Sequence, residues 1–225
     1  MSHTPHQQHP RILIAGCGYT GLRAARAWLS RGLTVTAITR STTRAHTLQQ
    51  HGLQTLVADL TDNSTLPELP DAQIVVWSAG YDRNSSSSRR QLWIDGLTKL
   101  LHKLPDSPHP RRLILTSTTS VYGDAAGSSV DESTTPQPVQ EGGLVCLEAE
   151  QLLRQYCLPL GHTPIILRLA GIYGPGRLLR RLQDLHEQRP IPADPDDWLN
   201  LIHVDDIVST LLYTASCPKI GRAHV

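Results

Sequence analysis

The sequence lacks a strong excess of either charge, a long apolar run and a secretory leader. Its 225 residues include 21 lysines and arginines against 20 aspartates and glutamates, so the formal net charge is +1. A near-neutral chain without a basic stripe argues against nucleic acid or a membrane surface as a partner. No stretch approaches the roughly 20 apolar residues that a membrane span requires. We therefore expect a cytoplasmic protein.

The first ten residues also lack the apolar core and the cleavage site of a signal peptide. They are rich in histidine, glutamine and proline, and His3, His6 and His9 lie three positions apart. Nothing around these histidines fixes a ligand geometry, although a stray metal ion would find weak ligands there. We expect residues 1–10 to be a disordered tail and the protein to have no metal site.

Cysteine is scarce and shows no pairing pattern. Cys17, Cys146, Cys157 and Cys217 form no C-x-x-C pair. A chain of this length buries roughly 70% of its unfolded surface, so it needs no disulfide or metal to fold. Free thiols in a reducing compartment are therefore expected.

From residue 11 onward, apolar strand-like runs alternate with segments of helical periodicity. Such alternation predicts an α/β fold of the Rossmann type, a doubly wound parallel sheet with right-handed crossovers and helices on both faces. The segments 82–90 and 128–140 are expected to be irregular. The predicted strands are 12–15, 35–39, 53–58, 74–77, 113–115 and 165–169, and the predicted helices are 20–29, 42–51, 92–104, 144–157 and 178–188.

A glycine-rich string, G-C-G-Y-T-G at residues 16–21, directly follows the first strand and opens the first helix. This context makes G-x-G-x-x-G a dinucleotide-binding signal rather than a chance match. Gly16 permits the tight turn, Gly18 lets a pyrophosphate approach the backbone, and Gly21 lets the helix pack on the strand. With Tyr19 and Thr20, these residues are predicted to hold the phosphates on free backbone N–H groups at the helix N-terminus.

The end of the second strand carries no acid. NAD sites usually place a carboxylate there, on the ribose 2′-hydroxyl, whereas this sequence has Thr39, Arg40 and Ser41. Arg40 is suited to a 2′-phosphate, and Arg44 is an alternative for the same role. The sequence therefore favours NADP over NAD, unless Arg40 is only a solvated charge.

Several further motifs occur in order along the chain, and together they resemble the extended short-chain dehydrogenase/reductase superfamily in its NAD-dependent epimerase/dehydratase branch. The resemblance spans residues 11 to about 216. Beside the glycine loop, the matching motifs are D-L-T-D at 59–62, S-A-G at 78–80, T-S-T-T-S-V-Y-G at 116–123, R-L-A-G-I-Y-G-P at 168–175 and I-H-V-D-D at 202–206.

The resemblance implies roles for individual residues. Ala79 and Gly80 would line the cofactor after the fourth strand. Asp59 and Leu60 end the third strand, where Asp59 either accepts a hydrogen bond from the adenine amino group or caps a helix. Thr118 matches the catalytic Ser/Thr, whose hydroxyl would bind the substrate oxygen.

The family's proton-transfer pair, Y-x-x-x-K, is missing. None of the six tyrosines has a lysine four residues later, and none of the three lysines lies in the helix 144–157. If Glu150 aligns with the Glu that often follows this pair, Gly142 takes the tyrosine position and Cys146 the lysine position. The chain therefore resembles an atypical member of the family. It lacks both the tyrosine that exchanges the proton and the lysine that lowers the pKa of that tyrosine from its ordinary value of about 10.

Three interpretations of this departure stay open. The protein acts as an NAD(P)-dependent oxidoreductase or epimerase/dehydratase on a sugar nucleotide or a similar hydroxyl or carbonyl compound, with Glu141 or Cys146 as substitute acid/base candidates by location. Hydride transfer needs only a well-placed nicotinamide, so loss of the pair does not exclude chemistry. Alternatively, it is a non-catalytic NADP(H)-binding sensor or scaffold, or an interaction module. The expected partner is a small-molecule substrate, and a homodimer is left open.

The last quarter of the chain would include a small substrate region. We assign residues 11–170 to the NAD(P)-binding domain and 171–218 to an incomplete substrate-binding region. Residues 219–225 are expected to be non-native, because their codons resemble a sequencing adapter read in frame and family members normally continue further. Arg177, Arg180 and Arg181 are either phosphate contacts or a solvated helix face. His203, followed by two aspartates, is typical of a helix cap.

Overall fold

A computed structural model describes residues 10–62, 66–123, 127–177, 179–190, 198–217 and 222–224. Strands and helices alternate through most of the chain, as the sequence predicts. The strands are β1 (Arg11–Ala15), β2 (Thr34–Thr39), β3 (Gln54–Val57), β4 (Ile74–Trp77), β5 (Arg112–Thr118), β6 (Thr163–Leu169), β7 (Gly171–Tyr173), β8 (Leu201–His203) and β9 (Arg222–His224). The helices are α1 (Tyr19–Leu29), α2 (Thr42–Gln50), α3 (Leu97–Lys103), α4 (Glu141–Cys157), α5 (Leu179–His186) and α6 (Val204–Ser216).

The main sheet is parallel throughout and has the strand order β3-β2-β1-β4-β5-β6-β9. The predicted Rossmann-type doubly wound sheet is thereby confirmed. The chain winds outward in one direction from β1 to β3 and then in the other from β4 to β6. In such sheets ligands bind beyond the carboxyl ends of the strands where this reversal occurs, here between β1 and β4.

Two apolar layers cover the sheet. Neighbouring residues of a strand point to opposite faces, so Leu13 packs into one cluster with α3 and α4. Ile12 and Ile14 pack into the other cluster, together with Trp28 of α1 and Leu211 of α6. All four residues of β4 are buried, as expected for a strand covered on both faces.

The structure differs from the sequence prediction in several regular elements. Helix α4 begins three residues before its predicted start, and α6 and β9 were not predicted. The helix predicted over 92–104 begins as a π-helical turn, Gln91–Gly96, before it continues as α3. Gly96, at this junction, lies against the third-strand loop, where a Cβ would sit 2.9 Å from the Leu60 carbonyl oxygen. The short parallel pair β7–β8 was not predicted, because three-residue strands carry too little periodicity to be recognised.

Other expectations from the sequence are met within the described residues. The four cysteines are free, and Cys17, Cys146 and Cys157 are buried. Among the described residues, none of the helices has both the length and the apolarity of a membrane span. The tail with His3, His6 and His9 lies outside the described residues, as do all of residues 219–225 except β9.

Candidate functional site

The glycine loop joins β1 to α1 and also contacts the end of β4. Gly16 has a positive φ of +91°, and a Cβ there would lie only 2.3 Å from the Ala79 Cα. A Cβ at Gly21 would lie 2.5 Å from the Gly16 carbonyl oxygen. The Ser78 hydroxyl donates a hydrogen bond of 2.6 Å to that same oxygen. Gly16 and Gly21 are thus required by backbone contacts within the fold, beyond the turn that the sequence predicts.

Gly18 differs from Gly16 and Gly21, because a side chain at this position would extend into open space rather than into neighbouring backbone. A Cβ there would meet nothing within 4 Å. Gly18 is the N-cap of α1, no side chain caps this helix end, and its first turn contains no acidic residue. The free backbone N–H groups and the positive end of the helix dipole therefore face open space, an arrangement suited to a pyrophosphate.

Two cavities open on either side of this loop. Both are lined by Gly18, Ser78, Ala79 and Gly80. The first, of about 240 Å³, extends toward β2 and β3. The second, of about 470 Å³, extends toward β5 and α4. Together they form a cleft across the point where the strand order reverses.

The first cavity has an apolar wall and a basic rim. Ile38, Ala58 and Leu60 form the wall, while Arg40 and Arg44 contribute the rim. Of the residues predicted to bind a cofactor, Gly16, Gly18, Arg40, Leu60, Ala79 and Gly80 line this cavity.

Arg44 is held over the glycine loop. Its Nη2 donates to the Cys17 carbonyl oxygen at 3.2 Å, and its backbone N–H is capped by the Ser41 hydroxyl at 3.2 Å. Burial raises the pKa of the Cys17 thiol to about 11, against the opposing effect of Arg44. The one carboxylate among the described lining residues, Asp82, belongs to the loop after β4, and its Oδ1 accepts from the Asn84 backbone N–H.

Asp59 shapes the turn beside this cavity. Its Oδ1 accepts hydrogen bonds from the Thr61 backbone N–H at 2.8 Å and from the Thr61 hydroxyl at 2.7 Å. Leu60 and Thr61, rather than Asp59 itself, line the cavity wall. In this arrangement the carboxylate orders the turn after β3, in the manner of an Asx turn.

The second cavity contains the predicted substrate-binding hydroxyl. Thr118, at the end of β5, lines it together with Tyr19 and Thr20. The Thr118 oxygen accepts from the Ser120 backbone N–H at 3.2 Å, which begins a short 3₁₀ turn over Thr119–Tyr122. A hydroxyl that accepts one bond still has its proton to donate, so Thr118 can donate to an oxygen in the cavity.

The tyrosine and lysine positions of the family pattern also face this cavity. Gly142 and Cys146, one turn apart on α4, both line it. Burial raises the pKa of the Cys146 thiol to about 11, and the nearby Arg89 acts in the opposite direction. The thiol is therefore neutral near pH 7. Glu141, the other substitute acid/base candidate, is exposed at the start of α4.

An arginine that the sequence analysis did not single out occupies the space beside Gly142. A Cβ at Gly142 would lie 3.7 Å from Cζ of Arg89. The Arg89 guanidinium lies over the Tyr81 ring, with Cζ 4.6 Å from the ring centroid. The only signal in the sequence was a serine- and arginine-rich segment, 82–90, which was interpreted as a flexible loop.

Comparison with known proteins identifies a family whose name matches a nucleotide-binding cleft. The sequence model of the NAD-dependent epimerase/dehydratase family matches residues 12–223. The chain belongs to this family. It is 29% identical to protein YeeZ of Escherichia coli K12, over 95% of this chain and 76% of that protein.

Solved structures give the same result. A candidate NAD-dependent epimerase/dehydratase from Methylobacillus flagellatus is 30% identical, with a TM-score of 0.73 over 96% of this chain and 75% of that one. UDP-glucuronic acid 4-epimerase of Bacillus cereus, solved with UDP-glucuronic acid and NAD, has a TM-score of 0.78 over 96% of this chain and 76% of that one. At 22% identity, that likeness concerns the fold alone.

In this family member, a buried ion pair fixes α4 against the sheet. Glu150 is fully buried and accepts from Arg168 Nε at 3.0 Å and from Arg168 Nη2 at 2.7 Å. The Ser117 hydroxyl donates to Glu150 at 2.7 Å, and Arg168 Nη1 donates to the Tyr122 hydroxyl at 2.7 Å. Burial would lower the pKa of Arg168, but its bonds to Glu150 and Tyr122 outweigh that effect and raise it. The network connects α4 to β5 and β6.

The C-terminal segment reaches the cavity through Arg177. This residue lines the second cavity, and its Cζ lies 4.9 Å from the Tyr19 ring centroid. The side chains of Arg180 and Arg181 lie outside what the structure describes. His203 caps α6, since its Nδ1 accepts from the Asp205 backbone N–H at 3.2 Å. The helix-cap expectation for His203 is confirmed.

Proposed function

We propose that this protein binds NADP(H) and acts as an oxidoreductase on a sugar nucleotide or a related hydroxyl or carbonyl compound. The observation that carries the proposal is the pair of cavities joined at Gly18 and Gly80. Neither glycine has an atom within 4 Å of a built Cβ, so no side chain crowds the junction at these two positions. A pyrophosphate requires such a bare junction between the two halves of a dinucleotide.

The residues of each cavity suit one half of the cofactor. Ile38, Ala58 and Leu60 provide an apolar slot for the adenine ring, and the amides at the start of α1 suit the pyrophosphate. Thr118 lines the second cavity together with Ala79 and Gly80, which supports a role for its hydroxyl beside the cofactor. A bound nicotinamide supplies the hydride chemistry there, while this chain binds, orients and shields the substrate.

The preference for the phosphorylated cofactor rests on charge at the end of β2. Arg40 and Arg44 both line the first cavity, and β2 ends at Thr39 rather than at an acid. A guanidinium pairs well with a 2′-phosphate, whereas a carboxylate would repel it. Several structural relatives are described as complexes with NAD, so this preference is a property we propose for this chain's own residues.

The deciding experiment compares NADPH and NADH by calorimetric titration of the full chain. We expect both to bind, with NADPH bound about tenfold more tightly, because a charge-assisted pair is added. Equal affinity would overturn the NADP preference. If neither dinucleotide bound at millimolar concentration, the cofactor proposal itself would be wrong.

Catalysis in the second cavity would depend on hydrogen bonding rather than on a general base. Thr118 donates to the substrate oxygen, and the Cys146 thiol, with a pKa of about 11, is neutral at pH 7. A neutral thiol cannot act as a base but still carries a proton, so the proton that the substrate oxygen takes up during carbonyl reduction would come from Cys146 or from solvent. We expect slow NADPH oxidation in the presence of carbonyl compounds, and Thr118→Ala to lower its rate constant about tenfold without changing NADPH affinity.

A second candidate function is supported by one observation. Gly142 and Cys146 stand at both reactive positions, which favours a non-catalytic NADP(H)-binding sensor. Single-turnover measurements with a panel of aldehydes, ketones and nucleotide-linked sugars separate the two candidates. Oxidation of bound NADPH by any panel member eliminates the sensor, whereas tight binding without turnover for every member eliminates the oxidoreductase.

A further inference from the structure

We propose that Arg89 is an anion-binding residue of the second cavity and that the substrate places a carboxylate or phosphate oxyanion against it. The inference rests on the proposed function, since it names the substrate class of the same site. It assigns a role to a residue outside the family's motifs. The oxyanion would lie where the family pattern has a tyrosine, next to Thr118.

The first argument is spatial. Because position 142 is glycine, the space above α4 is open to the guanidinium of Arg89, whose Cζ lies 3.7 Å from a built Cβ. A tyrosine at this position would project its ring into the same region. Arg89 therefore occupies space that a tyrosine at position 142 would need.

The second argument concerns unsatisfied hydrogen bonding. Arg89 stacks on Tyr81, and its Nε is buried with no hydrogen-bond partner among the described residues. The adjacent Arg90 contrasts with it, because its guanidinium forms two bonds to the Glu148 carboxylate, of 2.6 and 2.5 Å. No hydrogen bond or ion pair joins the Arg89 side chain to another described residue. Because Arg89 lines the cavity, its Nη groups, rather than the occluded Nε, are the donors that a ligand could reach.

The third argument is electrostatic. The described residues that line the second cavity include two arginines, Arg89 and Arg177, and no aspartate or glutamate. The first turn of α4 adds to this field, because Gln140 and Gly142 line the cavity and no side chain caps the helix. Glu141 offsets part of the field, but it is exposed and does not line the cavity in the described structure.

Because Arg89 is an arginine, the site would bind and orient the anion rather than exchange a proton with it. A guanidinium is not deprotonated in proteins, so Arg89 neither replaces the tyrosine as an acid nor acts as a base. It offers a planar set of donors that matches a carboxylate or phosphate. With the anion held there and a second oxygen on Thr118, the substrate would be oriented by two contacts.

The test measures anion binding calorimetrically to the full chain already saturated with NADPH. The probes are inorganic phosphate and oxalate, titrated separately so that the two sources of the oxyanion are distinguished. We expect at least one probe to bind, and Arg89→Gln to weaken it about tenfold or more. Arg89→Lys should retain part of the affinity, because it keeps the charge and loses the fork.

The matched control is Arg90→Gln, which removes the same charge one residue away. Arg90 is paired with Glu148 and does not line the cavity in the described structure, so anion affinity should be unchanged. Circular dichroism of each variant checks folding. Equal anion affinity of Arg89→Gln and the wild type, or no binding of either probe, would overturn the inference.

Failure of the proposed function gives a different pattern. If the wild type did not bind NADPH, the titrations would be repeated without it, and an Arg89-dependent anion site would survive alone. If NADPH bound equally to the wild type and Arg89→Gln while anion affinity differed, both proposals would stand. Phosphate binding through the glycine loop would be insensitive to Arg89→Gln, an outcome that counts against the inference.

Discussion

The two cavities that meet at Gly18 have different linings. The first is bordered by backbone at the glycine loop and by apolar side chains from β2 and β3. The second depends on side chains at the end of β5 and on one face of α4, where Gly142 and Cys146 occupy the positions that the alignment through Glu150 assigns to the family's reactive pair. A backbone-built site persists while the fold persists, whereas a side-chain site changes with single substitutions.

The largest effect is expected from breaking the buried ion pair between Glu150 and Arg168, which holds α4 beside the second cavity. Glu150→Ala would leave Arg168 buried without its carboxylate, and we expect a loss of about 3–5 kcal/mol in the free energy of unfolding. Urea unfolding followed by circular dichroism measures this. Glu148→Ala, on the same helix, is the control and should leave the midpoint nearly unchanged, because its pair with Arg90 is exposed. Equal effects of the two variants on the free energy of unfolding would contradict the stabilising role of the buried ion pair.

Two substitutions in the glycine loop should separate folding from binding. Gly16→Val places a Cβ 2.3 Å from the Ala79 Cα at a positive φ, so we expect a loss of about 3 kcal/mol or more in stability. Gly18→Val places its side chain in open space, so the melting temperature should change little while NADPH affinity falls about a hundredfold. Thermal melts and NADPH titrations measure the two. Retained NADPH affinity in a folded Gly18→Val variant would contradict the phosphate site.

One buried thiol lines each cavity, Cys17 the first and Cys146 the second, and we expect both to change the stability with pH in the same way. Burial raises the pKa values of Cys17 and Cys146 to about 11 from an ordinary 9.0. Between pH 9 and 11 the unfolded chain therefore binds fewer thiol protons than the native one, so stability falls as pH rises. Each thiol should contribute about 1 kcal/mol per pH unit. Urea midpoints at several pH values test this, and Cys17→Ala and Cys146→Ala should reduce the slope equally; a slope unaffected by both contradicts the burial effect.

The smallest effect concerns the rim of the first cavity. Arg44→Gln removes a guanidinium that lies over the glycine loop, so the preference for NADPH over NADH should fall about tenfold. Titration of both dinucleotides measures the ratio. Arg26→Gln serves as the control, because Arg26 contacts His51 and does not line the first cavity as described. An unchanged ratio in Arg44→Gln would point to Arg40 as the residue that matters.

Sequence reasoning performed best where a local pattern dictates local backbone. The strand–glycine loop–helix unit was predicted with the starts of β1 and α1 each one residue late and both ends correct, since the string at 16–21 has meaning only in that context. Gly142 and Cys146, which the alignment through Glu150 assigns to the tyrosine and lysine positions, line one cavity because residues four apart share a helix face. The alignment itself stays a prediction. These inferences need no knowledge of distant contacts.

Arg89 and the Glu150–Arg168 pair show where such reasoning ends. Arg89 is separated from Gly142 by more than fifty residues, and a serine-rich loop has no periodicity that indicates its path. The bonds between Glu150 and Arg168 likewise exist only because α4 packs across β5 and β6.

The sequence by itself determined the alternating α/β order, the glycine elbow and the absence of the family's tyrosine and lysine. These are statements about neighbouring residues and about which residues are present. Only the tertiary structure decided that the Arg89 guanidinium lies beside Gly142, without a hydrogen-bond partner for Nε among the described residues, and that a buried ion pair holds α4 in place. The reason is physical: a side chain's charge and burial depend on what packs against it, and those partners come from distant parts of the chain.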